Sequence, residues 1–356
     1  MTRLADRLLF AGNLGPLYEG PIILVHEHLE LAPLSSEWFG WLARLMDEEG
    51  ISKIVGFLSS QQLKHAKGFE SRILPFINEF RWHSPEGALS VLKDAFQKEP
   101  SWVGLGELRL GAGIVLWPVH QKYMEAQLDD EALLPIYDLA ADHNKVVMVH
   151  PRYQPENGDP MDWKTTKAFG TALAHNAKTT FLVHAFPDVA SLYWGPGTRS
   201  LGRWPEWLLS LIEKYPNWYY DPSGAMNFHS LADPEFFTTV SPTPEGAKAA
   251  VQHMYEVGKR KPDYFIREMA QPGHLASHID RALALWGELF EKKPERCMLG
   301  FDLGFAWHWE TEVIKSWIHL YRLILGRLPE PIAEQVAYKN AEKMATRSGV
   351  SIANVA

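Results

Sequence analysis

The sequence contains a single cysteine, Cys297. That excludes an internal disulfide and fits a reducing compartment. No run approaches the length of about 18 apolar residues that a transmembrane helix needs. The opening residues, MTRLADRLLFAGNLGP, lack the apolar core and small-residue cleavage site of a signal peptide. A cytoplasmic protein is therefore expected. Positive charge is not in excess: the net charge is −8 and the pI about 6.0. No basic footprint for nucleic acid or an anionic membrane exists. No Gly-x-Gly-x-x-Gly follows the first strand-like run, and there is no Walker loop, which removes the usual dinucleotide and nucleotide readings. No short repeat or low-complexity segment occurs.

The chain has 356 residues, 46% hydrophobic and 22% charged. That supplies a large core, and the length suits one large domain or two ordinary ones, of which a single domain spanning residues 1–356 is expected. Short apolar runs recur at 21–25, 52–58, 72–78, 101–107, 145–150, 179–184, 217–221 and 296–302. Each reads as a strand, and each is followed by a segment that reads as helix. Pro75 weakens the third run as a strand. Helices are expected at 36–49, 84–99, 129–144, 160–177, 203–215, 274–293, 310–325 and 331–347, with a polar helical connection at 59–69. Eight strand–helix units predict right-handed βαβ crossovers and a closed (β/α)8 TIM barrel, with an open doubly wound sheet as the alternative. The interval 224–273 is long, with scattered Pro and Gly. It reads as an insertion between strand seven and the next helix, and its apolar and aromatic residues predict a lid over the barrel mouth.

The chemistry sits where these runs end. Residues 21–30, PIILVHEHLE, put His26 and His28 two apart at the end of the first run, and alternation in a strand would send both to one face. With 15 histidines in the chain, about 0.6 His-x-His pairs are expected by chance, so this pair alone is weak. Glu107, His150, His184 and Asp302 end the fourth, fifth, sixth and eighth runs. Each alone has an ordinary structural explanation, as a packed histidine, a loop carboxylate or a helix cap. In a barrel, however, all strand C-termini converge on one face, where active sites are built. Six metal-competent side chains aimed at one place predict a metal centre. Nitrogen and oxygen ligands admit Zn, Mn, Fe, Co or Ni, and zinc is the expected ion.

These motifs resemble the amidohydrolase superfamily of metal-dependent hydrolases. The resemblance rests on HEH at 26–28, GLGEL at 104–108, VMVHPR at 147–152, FLVHAF at 181–186 and LGFD at 299–302. LPEPIAEQVAYKNAEKM at 328–344 resembles the C-terminal helix of the amidohydrolase-related branch. The set runs through nearly the whole chain. It implies two divalent ions, one held by His26, His28 and Asp302, the other by His150 and His184, with Glu107 bridging. Many relatives carry a carboxylated lysine at the fourth strand. Glutamate stands there in this chain, as in the deoxyribonuclease branch, while HEHL is similar to the phosphotriesterase branch.

Two ions about 3.5–4 Å apart can share one water and lower its pKa toward neutral. The expected activity is hydrolysis of a small ester, lactone, amide or phosphoester by that bridging hydroxide, with Asp302 moving the proton. The alternative is a one-metal decarboxylase of the same superfamily, whose strand-seven ending resembles YYDPSG at 219–224. It would place His26, His28, His150 and Asp302 on the metal, with His184 as acid–base. A nuclease is disfavoured by the charge, and an inactive binding module by retention of all six ligands. Arg109, Arg152 and Tyr153 stand beside expected ligands and could meet a substrate anion, or equally form rim salt bridges. Trp307, His308 and Trp309 could wall the pocket or simply pack. His274 and His278 have helical spacing without the zinc-protease glutamate, and Asp221 could orient a ligand. The expected partner is a small-molecule substrate, with neither nucleic acid nor membrane. A homo-oligomer stays open, as does the substrate.

Overall fold

The structure is a computed structural model that describes residues 14–33, 35–79, 85–109, 127–150, 155–156, 159–184, 204–222, 272–304 and 306–350. Seven strands form one sheet: β1 (Ile22–Glu27), β2 (Ile51–Leu58), β3 (Ile73–Ile77), β4 (Gly104–Arg109), β5 (Val146–His150), β6 (Thr180–His184) and β7 (Trp218–Asp221). They lie side by side in chain order and every pairing is parallel. Residues 297–300 close the ring. Cys297 bridges Tyr220 on one side and Gly300 bridges Val25 on the other. The Met298 and Val25 amides donate to Tyr220 O and Leu299 O, both at 2.9 Å. The result is the predicted (β/α)8 barrel.

Helices α1 (Ser36–Glu49), α2 (Pro85–Lys98), α3 (Leu134–Asp142), α4 (Lys164–His175), α5 (Trp204–Lys214), α6 (Pro272–Lys292) and α7 (Thr311–Leu325) follow the strands. Local chemistry sets their limits. The Ser35 hydroxyl accepts from the Trp38 amide at the start of α1, and Gly50, at φ 65°, takes the left-handed turn that ends it. Period-2 alternation divides the core into two layers. Ile23, Val25, Val55, Phe57 and Met148 fill the barrel interior, while Ile22 and Leu24 join the layer beneath the helices. The C-terminal run opens at Glu330–Glu334, passes through a π turn at Gln335–Lys339 and ends as α8 (Asn340–Arg347). Its Met344 and Ala345 pack against the interior layer and stopper the end where the strands begin. Asn340 fastens this run to the barrel by donating to Pro294 O and Cys297 O, both at 2.6 Å.

β3 forms as expected with Pro75 inside it, the Pro75 carbonyl accepting from the Val103 amide at 2.9 Å. Other expectations are corrected. The helix expected from residue 129 starts at Leu134, with Pro135 in its first turn. The helix expected from residue 160 starts at Lys164, because Asp159–Trp163 pairs with Pro155–Glu156 in a small hairpin. The eighth strand is reduced to the two bridges. Pro272 and Gly273 belong to α6; the rest of the predicted lid, 224–271, lies outside the described residues. Among the described residues, no helix is long and apolar enough to cross a membrane.

Candidate metal centre

Alternation aims most of the site. In β5, Val146 and Met148 face the interior, so His150 does too. In β6, Leu182 brings His184 inward; in β7, Tyr219 does the same for Asp221; Met298 precedes Asp302 by two such steps. His26 does not follow this rule. Unbroken alternation would put it with Ile22 and Leu24, facing the helices. A register shift between Leu24 and Glu27, with His26 at φ 67°, turns its ring into the barrel. Glu107 also follows an irregularity, between Leu105 and Leu108. Gly106 there sits at φ 145°, where a Cβ would come within 2.6 Å of the Met148 Cβ.

The six expected ligands come together. His26 Nε2 lies 3.4 Å from Glu107 Oε1 and 3.7 Å from Asp302 Oδ1. His28 Nε2 lies 3.3 Å from Asp302 Oδ1 and 3.8 Å from Glu107 Oε2. His184 Nε2 is 3.5 Å from Asp302 Oδ2, and His150 Nδ1 is 3.1 Å from Glu107 Oε1. His26, Glu107 and His184 form one group able to hold an ion, and His26, His28 and Asp302 another. Behind the rings stand two further carboxylates. Asp221 Oδ2 lies 3.1 Å from His26 Nδ1 and 3.6 Å from His184 Nδ1. Glu30 Oε1 lies 2.9 Å from His28 Nδ1 and accepts from Asn78 at 2.8 Å. A carboxylate on Nδ1 fixes the tautomer and leaves the Nε2 lone pair pointing into the site.

The charges are strongly coupled. Burial opposes a proton on His26, but the carboxylates of Asp302 and Glu107 outweigh it and hold its pKa well above the ordinary value. His184 is pushed down to about 4, first by burial and then by the charge on His26, whose ring centroid is 3.9 Å away. Burial would raise Asp302 and Asp221. The His26 charge and the other surrounding histidines keep Asp302 well below the usual carboxylate range, and hydrogen bonds from His184 and His26 lower Asp221.

These residues fit a divalent ion. Asp302 Oδ1 is buried and accepts no hydrogen bond among the described residues, although two imidazole Nε2 atoms face it. Glu107 and Asp302 draw positive charge onto His26 as a proton; a cation would supply that charge instead. All the donors are nitrogen or oxygen, as hard or borderline divalent ions require.

Sequence reading left Glu30 and Glu27 unremarked. Glu30 carries a usable signal, two residues beyond a ligand histidine. Glu27 does not, since its partners are Phe301 N at 3.0 Å and Leu303 N at 3.3 Å, at the far end of the chain. Burial pushes the Glu27 carboxyl well above its usual range, against the pull of those donors. Arg152 and Tyr153 lie outside the described residues, as do the side chains of Arg109 and His274. Trp307 is partly buried, its ring 4.1 Å from that of His308. His278 is buried in α6, and Cys297 is buried at the start of the eighth segment, away from the strand ends.

Neither a protein-family model nor a curated protein matches this sequence. Solved structures do. An amidohydrolase from Burkholderia multivorans with bound zinc matches at a TM-score of 0.50 and 14% identity, over 92% of this chain and 99% of that one. A TIM-barrel protein from Bordetella bronchiseptica matches at 0.47 and 17%, over 98% and 92%. A 2,6-dihydroxybenzoate decarboxylase from Rhizobium matches at 0.46 and 11%, over 92% and 99%. The barrel of this chain is thus similar in fold to the Burkholderia amidohydrolase, whose superfamily the strand-end motifs resemble.

Proposed function

We propose that this chain is a metal-dependent hydrolase that cleaves a small ester, lactone, amide or phosphoester, using two divalent ions. The observation that carries this reading is the place of Glu107. Its carboxylate lies within 3.4 Å of His26, 3.8 Å of His28 and 3.1 Å of His150, between the two expected ligand groups. His26, His28 and Asp302 would hold one ion, His150 and His184 the other, and Glu107 both. Bound there, the ions would polarise the scissile carbonyl or phosphoryl group and lower the pKa of a water toward neutrality. Asp302 stays ionised among its histidines and retains 23% side-chain exposure, so it can take a proton from the attacking water and deliver it to the leaving group. Asp221 and Glu30 keep the imidazoles oriented. Arg109, Arg152, Tyr153 and Trp307 are proposed to contact the substrate. A small molecule is the proposed substrate, since a net charge of −8 disfavours nucleic acid. Zinc is the first metal to test, being the ion bound in the Burkholderia amidohydrolase.

One observation favours a second reading, a one-metal decarboxylase. His150 Nδ1 meets Glu107 Oε1 directly at 3.1 Å, which partners Glu107 without a second ion. Metal counting on the purified protein, with a panel of small esters, lactones, phosphoesters and aromatic acids, separates the two. The hydrolase reading expects two ions per chain in wild type, about one in Glu107→Gln, and turnover of an ester, lactone or phosphoester. One ion in both proteins, with carbon dioxide released from an aromatic acid, would replace it with the decarboxylase.

A further inference from the structure

We propose that Glu27, the last residue of β1 and the residue between His26 and His28, is the positioning residue that locks Asp302 into the metal centre. This rests on the reading of Asp302 as a ligand and proton carrier. The two oxygens of Glu27 accept from different amides: Phe301 N donates to Oε1 at 3.0 Å and Leu303 N to Oε2 at 3.3 Å. Those are the residues immediately before and after Asp302. One carboxylate therefore grips the peptide on both sides of it.

Asp302 needs such a grip. It sits at φ 54°, a left-handed conformation that is uncommon for a non-glycine residue and costs energy that its surroundings must offset. The ladder does not impose it, because the bridge to β1 ends at Gly300 and the next backbone bond after it is the short Gly304 N to Asp302 O contact at 2.6 Å. Phe301 and Leu303 are fully buried in the outer layer, so their amides would lose their partners if Glu27 were absent. Glu27 is itself fully buried, and it is flanked by His26 and His28. The same short stretch of chain thus supplies two ligands and sets the backbone that presents the third.

The geometry also states which chemistry the position requires. Two converging N–H donors need two acceptor oxygens. Glutamine offers one oxygen and an NH2 group, and the NH2 would face an amide hydrogen. Aspartate is one methylene short and cannot span both amides from the same backbone.

The test compares wild type, Glu27→Gln and Glu27→Asp as metal-free proteins titrated with Co2+, followed by its visible absorption, together with amide hydrogen exchange of wild type. We expect Glu27→Gln and Glu27→Asp each to weaken Co2+ binding by about 10- to 100-fold and to change the absorption band, as loss of an outer-shell partner does. In wild type, the Phe301 and Leu303 amides should exchange as slowly as those of the barrel strands, with or without metal. A Glu27→Gln protein with a lowered Tm but Co2+ affinity and spectrum within twofold of wild type would reduce Glu27 to a packing residue and overturn the proposal. So would rapid exchange of those two amides, a measurement that stands even where neither variant folds. If wild type binds no Co2+ at all, the metal reading of the site fails; the exchange data alone then decide whether Glu27 clamps Asp302.

Discussion

The two ends of the barrel are built on opposite principles. Where the strands begin, polar groups are paired with backbone. Lys53 Nζ donates to Ser71 O, Lys145 Nζ to Pro100 O and Ser348 O, and Asn340 to Pro294 O and Cys297 O. Apolar Met344 and Ala345 fill the opening. Where the strands end, four carboxylates and four imidazoles crowd together within about 4 Å of their neighbours. Two of those residues, His26 and Asp302, hold left-handed backbones, each a strain of about 1–3 kcal/mol. The first end satisfies its groups and adds stability. The second keeps strained, charge-coupled groups in place, which is the mark of a functional site.

The largest effect should come from the strained end. Asp302→Asn should lower turnover of the best substrate in the panel by about 10²- to 10⁴-fold, with a cooperative unfolding transition retained. An amide cannot take the proton, and the packing around residue 302 is unchanged. A metal-loaded Asp302→Asn enzyme with wild-type kcat would remove Asp302 from proton transfer and leave the two ends less different than proposed.

Next in size is a cut at the packed end. Met344 is fully buried against the barrel interior. Met344→Ala should destabilise the protein by about 2–5 kcal/mol through lost burial and the cavity left behind. Metal content, measured below the new Tm, should stay at the wild-type level, since distant sites act independently. A parallel loss of metal would show that the stopper and the site form one cooperative unit.

The smallest effect is electrostatic. Burial lowers the Lys53 pKa, helped by the nearby Arg72, and burial lowers that of Lys145. Each lysine therefore holds its proton less tightly folded than unfolded. The unfolded chain binds more protons in the window between the lowered folded values and the ordinary value near 10.5, so this contribution to stability rises with pH there. Replacing both with Met should flatten that rise, read as the difference between wild-type and double-variant denaturation midpoints at pH 8 and pH 10. An identical pH dependence in the two proteins would mean that the lysine heads remain hydrated at this end.

Much of this molecule is legible in the sequence, because alternation is a local property. Val146, Met148 and His150 share a face whatever the rest of the chain does, and so do Leu182 with His184 and Tyr219 with Asp221. Eight apolar runs separated by helical periods therefore determined the barrel, its top face and four of the inward groups. The tertiary structure decided what depends on a neighbour distant in sequence. His26 points inward only because β1 shifts register against β2, a feature of strand pairing that its own stretch does not encode. The eighth strand survives as two bridges because its edges are set by β7 and β1. Glu27 reads as an ordinary charge between two histidines until folding carries Phe301 and Leu303 to it, 274 and 276 residues along the chain. The Glu27 carboxyl is buried there with two amide donors, which only folding could supply, in place of its water.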